Sequence, residues 1–169
     1  MDHLTEIRPK DISDNIFKMV GSDWMLVSAG DRTGFNTMTA SWGGFGILWH
    51  KNVCFIFIRP QRYTFEFIEK HDIFTLSFFS EDYRDVLKIC GSCSGRDVDK
   101  IEKTGITPVF TDNGGIYFSE ARTVMECRKI YYQDINPQNF LDAQIEENYP
   151  GRDYHRMYIG EILSCHVSR

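Results

Sequence analysis

The chain lacks any apolar run long enough to span a membrane. Its longest, Val53-Cys54-Phe55-Ile56-Phe57-Ile58, falls far short of the roughly 20 residues a bilayer-crossing helix needs, so no membrane partner is expected. It has no surplus of positive charge. With 19 Lys and Arg against 24 Asp and Glu, the net charge of -5 argues against the broad basic footprint of a nucleic-acid or anionic-membrane binder. Any phosphate must then be held by a local cluster. Prolines number only 5, and there is no repeat, low-complexity tract or Pro/Ser-rich linker. A length of 169 residues therefore predicts one domain over 1–169. The 5 cysteines show no dense spacing, which fits reduced thiols better than a disulfide framework. Met1-Asp2-His3-Leu4-Thr5-Glu6 has early acids and no apolar core of a secretory signal, so a cytoplasmic location is expected. Hydrophobic residues make up 42% and aromatics 14%, the supply of an ordinary globular core.

Hydrophobic periodicity predicts mostly strands. Residues 24–29 read as a strand, Gly30-Asp31-Arg32-Thr33-Gly34 as a hairpin turn, and 35–42 as the returning partner. The unbroken run at 53–59 predicts a strand buried on both faces, ended by Pro60. Thr64, Phe67 and Ile68, at i, i+3 and i+4, predict a helix after it, and 73–79 predicts another strand. Ser80 reads as the N-cap of a helix with Tyr83, Val86, Leu87 and Cys90 on one face and Gly91 as its stop. A short helix is expected at 97–103, strands at 115–119, 123–132 and 157–167, and helical structure at 137–146. Strands with inserted helices and no regular βαβ alternation favour a predominantly antiparallel barrel.

Several segments carry chemistry, each with a plainer alternative. Arg59-Pro60-Gln61-Arg62-Tyr63-Thr64 sets two guanidiniums and a hydroxyl at a strand-to-helix junction, which suits an anion, or else is a turn with two solvated arginines. Small and hydroxyl residues with glycines from Asn36 to Gly46 would let a flat ligand approach the backbone, or mark a β-bulge and loop. The G-x-G-x-x-G spacing is absent there, so this is no Rossmann fingerprint. Ser94-Gly95-Arg96-Asp97-Val98-Asp99-Lys100 offers a hydroxyl, amides and cations at another helix start, or is a capped surface helix with Asp97 paired to Lys100. Cys90-Gly91-Ser92-Cys93 lacks the helix N-terminus of a redox motif, and His50, His71 and Cys127 supply no metal-like spacing. Gly91-Ser92-Cys93-Ser94-Gly95 follows a helix rather than the strand of a nucleophile elbow. A core thiol and a loop thiol, dispensable for catalysis, are the expectation. His155, beside Asp153 and Tyr154, is an acid-base candidate, though a lone His is more often structural.

Asn36-Thr37-Met38-Thr39-Ala40-Ser41-Trp42, the Arg59 to Thr64 and Ser94 to Lys100 segments, and Tyr158-Ile159-Gly160-Glu161-Ile162, in that order, resemble the flavin reductase-like, FMN-binding split-barrel family, and most of all its flavoredoxin-like branch. The similarity runs from about Asp14 to the C-terminus. It implies an antiparallel Greek-key split β-barrel and a homodimer with non-covalent FMN near the interface. Asn36, Met38, Thr39, Ala40, Ser41 and Trp42 resemble the strand and loop that line the isoalloxazine ring. Arg59, Arg62, Tyr63 and Thr64 resemble the phosphate and ribityl contacts, and Ser94, Gly95 and Lys100 a second loop over the cofactor. The family pattern asks nothing of Cys93, and no nicotinamide-binding motif can be matched. The implied activity is that of a flavin oxidoreductase. NADH or NADPH passes hydride to flavin N5, no side chain acts as catalyst, and electrons go on to an acceptor, with an acceptor protein among the candidate partners. The alternative is an FMN-binding electron carrier or flavin-storage protein without nicotinamide turnover.

Overall fold

The computed structural model describes residues 4–168. Strand β1 (Leu4–Ile7) is followed by α1 (Ile16–Lys18), which widens into a π-type turn at Met19–Asp23. Trp24 closes that turn with a φ of 68°, so the strand expected from residue 24 starts one residue later, as β2 (Met25–Asp31). A two-residue hairpin leads into β3 (Gly34–Ala40), with Asp31 opposite Gly34 and its Oδ1 accepting the Thr33 N–H at 2.7 Å. Ser41 and Trp42 lie past the end of β3 rather than inside it. The glycines read as a loop or bulge belong to β4 (Gly43–Leu48), which pairs with β5 (Lys51–Ile58). Trp49 and His50 turn between them at positive φ, the mirror-turn geometry that matches hairpin twist.

Then come α2 (Tyr63–Lys70) and β6 (Ile73–Phe78). The expected Ser80 cap is replaced by a 3-10 turn at Glu81–Tyr83, with the Ser80 hydroxyl donating to Asp82, and α3 (Arg84–Ser92) starts after it. Gly91 does not stop α3. The helix passes through it to Ser92, and the missing side chain leaves room for Thr39, whose Cβ lies 3.3 Å from where a Gly91 Cβ would sit. The helix expected at 97–103 is α4 (Lys100–Thr104), with Asp99 accepting the Ile101 and Glu102 N–H groups and left-handed Gly105 behind it. Short strands β7 (Pro108–Phe110) and β8 (Ile116–Phe118) precede the long β9 (Thr123–Asp134) and β10 (Arg156–Ser168). The expected helix at 137–146 is instead two 3-10 turns, Pro137–Asn139 and Ala143–Asn148, opened by the side chains of Asn136 and Asp142.

The main sheet runs β3-β2-β6-β9-β10-β5-β4, antiparallel throughout. Along one edge, β10 pairs with β5 through residues 156–161 and with β1 through 165–168. The sheet splits at that change of partner. Phe45 of the edge strand β4 lies 6.3 Å from Phe78 of β6, four places away in the strand order, so the sheet curls over a single interior. Met25, Val27 and Ala29 point into that interior with Phe74, Leu76, Phe78, Ile56 and Tyr158, while Leu26 faces outward onto Leu87 and Cys90 of α3. This is the antiparallel split barrel that the sequence implied. One expectation fails on β5. Its Ile56 and Ile58 are buried, but Phe55 and Phe57 on the other face are only half-buried.

Gly160 allows β10 to pass close over the core. A Cβ there would lie 2.8 Å from Phe74 Cε1 and 3.0 Å from Cys54 Sγ, atoms held by close packing. Gly160→Ala is expected to destabilise the fold by about 1–3 kcal/mol, read as a lower urea midpoint with an unchanged slope.

Candidate functional site

The end of β3, the end of β5, the start of α2 and the last turn of α3 meet at one edge of the barrel, beside the loop leading to α4. Two adjoining cavities lie there. A cavity of about 280 Å³ is lined by Met38, Thr39, Ala40, Ser41, Trp42, Phe57, Arg59, Arg62 and His155. A second, of about 210 Å³, is lined by Asn36, Met38, Gln61, Arg62, Tyr63, Thr64, Ser92, Cys93, Ser94, Gly95 and Lys100. Met38 and Arg62 belong to both walls. Every residue singled out from the sequence as a cofactor contact thus falls on one of two neighbouring cavities. Sequence reasoning missed Phe57 and undervalued His155.

The two cavities differ in chemistry. The first sets Met38, Ala40, Trp42 and Phe57 beside His155 and the guanidiniums of Arg59 and Arg62, and its Ala40 presents no bulk. The second is cationic. Lys100 is 5% exposed, and its Nζ donates to Thr37 O at 2.7 Å and Cys90 O at 2.9 Å. Lys100 turns inward, and among the described residues the alternative surface pairing with Asp97 does not form. Burial pulls its ammonium down to about 8, with the Cys90 thiol opposing the fall and Arg62 adding to it. Arg62 Nη1 donates to Gly91 O at 2.8 Å, while Nη2 is buried with no hydrogen-bond partner among the described residues. Burial and the neighbouring Arg59 both lower the Arg62 pKa. The Lys100 ammonium and the Arg62 Nη2 are thus withdrawn from water with, among the described residues, carbonyls but no carboxylate paired to them. A buried charge without a counter-ion is costly, and an arriving anion would remove that cost.

Arg59 differs from Arg62 in being already paired. Its Nη1 donates to Asp153 at 2.7 Å, its Nη2 to Asn148 O at 2.8 Å, and the guanidinium lies over the Tyr149 ring. Asn36 Nδ2 donates to the buried Thr64 hydroxyl at 2.7 Å, tying β3 to α2. A side chain at Gly95 would overlap Asn36 Oδ1 and crowd Tyr63. That loop can approach β3 only because residue 95 has none.

Three site residues share one support. Thr39 Oγ1 donates to Leu87 O, Lys100 Nζ to Cys90 O and Arg62 Nη1 to Gly91 O. The Cys90 and Gly91 carbonyls belong to the last turn of α3, where helical carbonyls lack intrahelical partners and the helix dipole is negative, while Leu87 lies one turn earlier. The C-terminal end of α3 is therefore the mount that orients both cations.

His155 precedes β10 and reaches the site because β10 pairs with the end of β5. Its Nδ1 lies 2.9 Å from the Tyr149 hydroxyl and its ring 4.9 Å from Trp42. Burial, with help from Arg59, lowers its pKa to about 4, so it is neutral at pH 7. The one sequence signal for it was the Asp153-Tyr154-His155 run at the start of a strand, which becomes informative only once the β5 partner is known.

All five cysteines are free. Among the described residues no group of three or more His, Cys, Asp or Glu is arranged to hold a metal, and no helix is long and apolar enough to cross a membrane.

No curated protein matches the chain in sequence. Among solved structures, the FMN-binding domain of a flavin reductase-like enzyme from Shewanella baltica aligns with a TM-score of 0.70 at 17% identity, over 98% of this chain and 77% of that one. Flavoredoxin of Desulfovibrio vulgaris aligns with a TM-score of 0.68 at 22% identity, over 96% and 78%. An NADH:FAD oxidoreductase of Streptomyces globisporus, solved with NAD and FAD fragments, aligns with a TM-score of 0.64 at 14% identity, over 85% and 73%. At these identities the likeness concerns the fold. The family model for the flavin reductase-like domain, however, matches residues 18–169, nearly the whole sequence. The chain belongs to the flavin reductase-like domain family.

Proposed function

We propose that the chain binds FMN without a covalent link and acts as an NAD(P)H-dependent flavin oxidoreductase. The observation that carries this reading is the buried, unpartnered Arg62 Nη2 beside the buried Lys100, opening onto a cavity walled by Met38, Ala40, Trp42 and Phe57. A phosphomonoester with a planar ring system matches both halves, and riboflavin would leave the cations unmatched. Arg62 and Lys100, with the Thr64 and Ser94 hydroxyls and Tyr63, would hold the phosphate and ribityl chain. Asn36 and Gly95 shape that pocket, and Met38, Thr39, Ala40, Ser41 and Trp42 back the ring. Arg59, fixed by Asp153, stiffens the wall between β5 and the segment before β10. Bound FMN would supply the redox chemistry of hydride and electron transfer, and these residues would hold it for that purpose. The protein's part is to leave one face open, and to keep a cation near a ring that gains negative charge on reduction.

The test is anaerobic stopped flow. NADH or NADPH should bleach the bound flavin, and Ala40→Leu should slow bleaching more than it weakens FMN binding, because its added bulk intrudes on the roughly 3–3.5 Å approach that transfer needs. Bleaching by dithionite but by neither nicotinamide would replace the reductase reading with that of an electron carrier.

We also propose a homodimer. Trp49 and Tyr131 stand exposed with ring centroids 5.9 Å apart, and Ile47 and Tyr132 are exposed as well, an apolar supply suited to a second copy. Light scattering should give twice the chain mass. A monomer with full FMN affinity would contradict it.

A further inference from the structure

The catalytic reading leaves Cys90 and Cys93 without a task, yet they bracket the α3 turn whose carbonyls hold Lys100 and Arg62. Cys93 follows the last helical residue, and its N–H still donates to Ile89 O at 3.0 Å. Residues at i and i+3 of a helix have Cα atoms about 5 Å apart, inside the range a disulfide spans. Cys90 is buried against the barrel. Cys93 is partly exposed in the wall of the cationic cavity, its Sγ about 4.0 Å from Lys103 Nζ. The carbonyls of Cys90 and Gly91 lie on the chain between the two sulfurs. Cys93 has already left helical geometry for extended backbone (φ -93°, ψ 146°), so bringing its sulfur onto Cys90 draws on the peptide units between them, which carry those carbonyls.

We propose that Cys90 and Cys93 are a thiol-oxidation site, and that closing their disulfide removes the carbonyl mounts of Lys100 and Arg62 and releases the flavin phosphate. This rests on the FMN reading above. The pair sits at the C-terminal end of its helix, unlike the helix N-terminus that activates a catalytic CxxC. It therefore suits control rather than turnover. Burial pushes the Cys90 thiol up to about 11, which keeps the reduced form inert.

The oxidant is a low-molecular-weight disulfide of the glutathione class. Cys93 thiolate attacks one of its sulfurs, breaking that S–S bond, expelling one thiolate and leaving a mixed disulfide. Cys90, giving its proton to water, then attacks the Cys93 sulfur and expels the second thiolate. Two protein thiols are oxidised by two electrons and one small disulfide is reduced to two thiols. A dithiol reverses the sequence. Because Cys90 is buried, the second step needs the last turn of α3 to open. FMN in the cavity would cover Cys93 and resist the first.

Binding linkage is reciprocal: if oxidation weakens FMN by some factor, FMN must disfavour oxidation by the same factor. The experiment equilibrates the full chain in glutathione redox buffers, with and without excess FMN. It reads intact mass, the oxidation midpoint, and the affinities for FMN and riboflavin. The expected result is loss of two hydrogens on oxidation, FMN affinity lowered about tenfold or more with riboflavin little changed, and a midpoint moved by FMN toward more oxidising buffers. Cys93→Ser and, separately, Cys90→Ala should each show no difference in FMN affinity between reducing and oxidising buffers. A persistent mixed disulfide on Cys93, or equal FMN affinity in both redox states with the preference over riboflavin intact, overturns the switch alone. A reduced protein that binds FMN no better than riboflavin overturns the phosphate reading, and the switch with it.

Discussion

Arg62→Ala should weaken FMN binding about 10- to 100-fold and leave riboflavin nearly unchanged. The guanidinium is half fixed: Nη1 is held by Gly91 O, and Nη2 is buried with nothing to donate to among the described residues. A phosphate oxygen would give that nitrogen a charge-assisted bond, worth about 1.5–3 kcal/mol, and each 1.4 kcal/mol is about tenfold in affinity. The loss should fall on the ligand that has the phosphate. Arg62→Lys keeps the charge but not the fork, so it should land between wild type and Ala. Arg59→Ala is the informative contrast. That guanidinium is committed to Asp153, so its removal should loosen the segment before β10 and disturb FMN and riboflavin alike. Titration of both flavins by fluorescence quenching reads all three variants, and equal losses for both ligands in Arg62→Ala would remove Arg62 from the phosphate site.

The contrast between the two arginines shows what sequence could reveal. They stand three positions apart in the same turn, and the motif treats them alike. Only the return of the chain at Asp153, far along the sequence, neutralises one and leaves the other unmatched. Local signals served well where one principle decided. The apolar run at 24–29, ended by the turn residues Gly30 to Gly34, placed β2 to within one residue, and the i, i+3, i+4 set of Thr64, Phe67 and Ile68 placed α2. They failed where a neighbour decided. Gly43-Gly44-Phe45-Gly46 has too few side chains to show a period and becomes a strand because β5 pairs with it. Gly91 reads as a stop, yet lies inside α3, where its missing side chain leaves room for Thr39. Spacing alone leaves Lys100 either as a cation at a helix start or as a surface partner of Asp97, and the carbonyl of Cys90 at the end of another helix, with that of Thr37, draws it inward. The residues chosen by resemblance are ones the fold gathers around two neighbouring cavities, while the electrostatics there come from contacts between distant segments.

Lys100 gives the pocket a pH dependence of opposite sign for the empty protein and for the ligand. In the unfolded chain a lysine holds its proton up to the ordinary value of 10.5, whereas the folded ammonium, lowered chiefly by burial, lets go near 8. Between those values the unfolded state binds more protons, so the stability of the apoprotein should rise with pH across that window, and the penalty is present in full below it. Binding runs the other way. A phosphate beside Nζ favours the charged lysine, so FMN should bind best below about pH 8 and progressively less well above it. The phosphate's second ionisation, near pH 6, is by then complete and cannot produce the fall. Riboflavin, without the anion, should show no such decline. Lys100→Met keeps the length of the stem and deletes the charge. It should cost FMN about 10- to 100-fold at pH 7 and flatten the affinity profile, and the rise in apoprotein stability should shrink by the share Lys100 supplies. Other groups titrate in this range, so the difference between wild type and variant, measured by FMN titration and by urea unfolding from pH 7 to 10, isolates the lysine. A wild-type FMN affinity that stays level across that range would show that Lys100 is not the cation facing the phosphate, and would leave Arg62 to hold it alone.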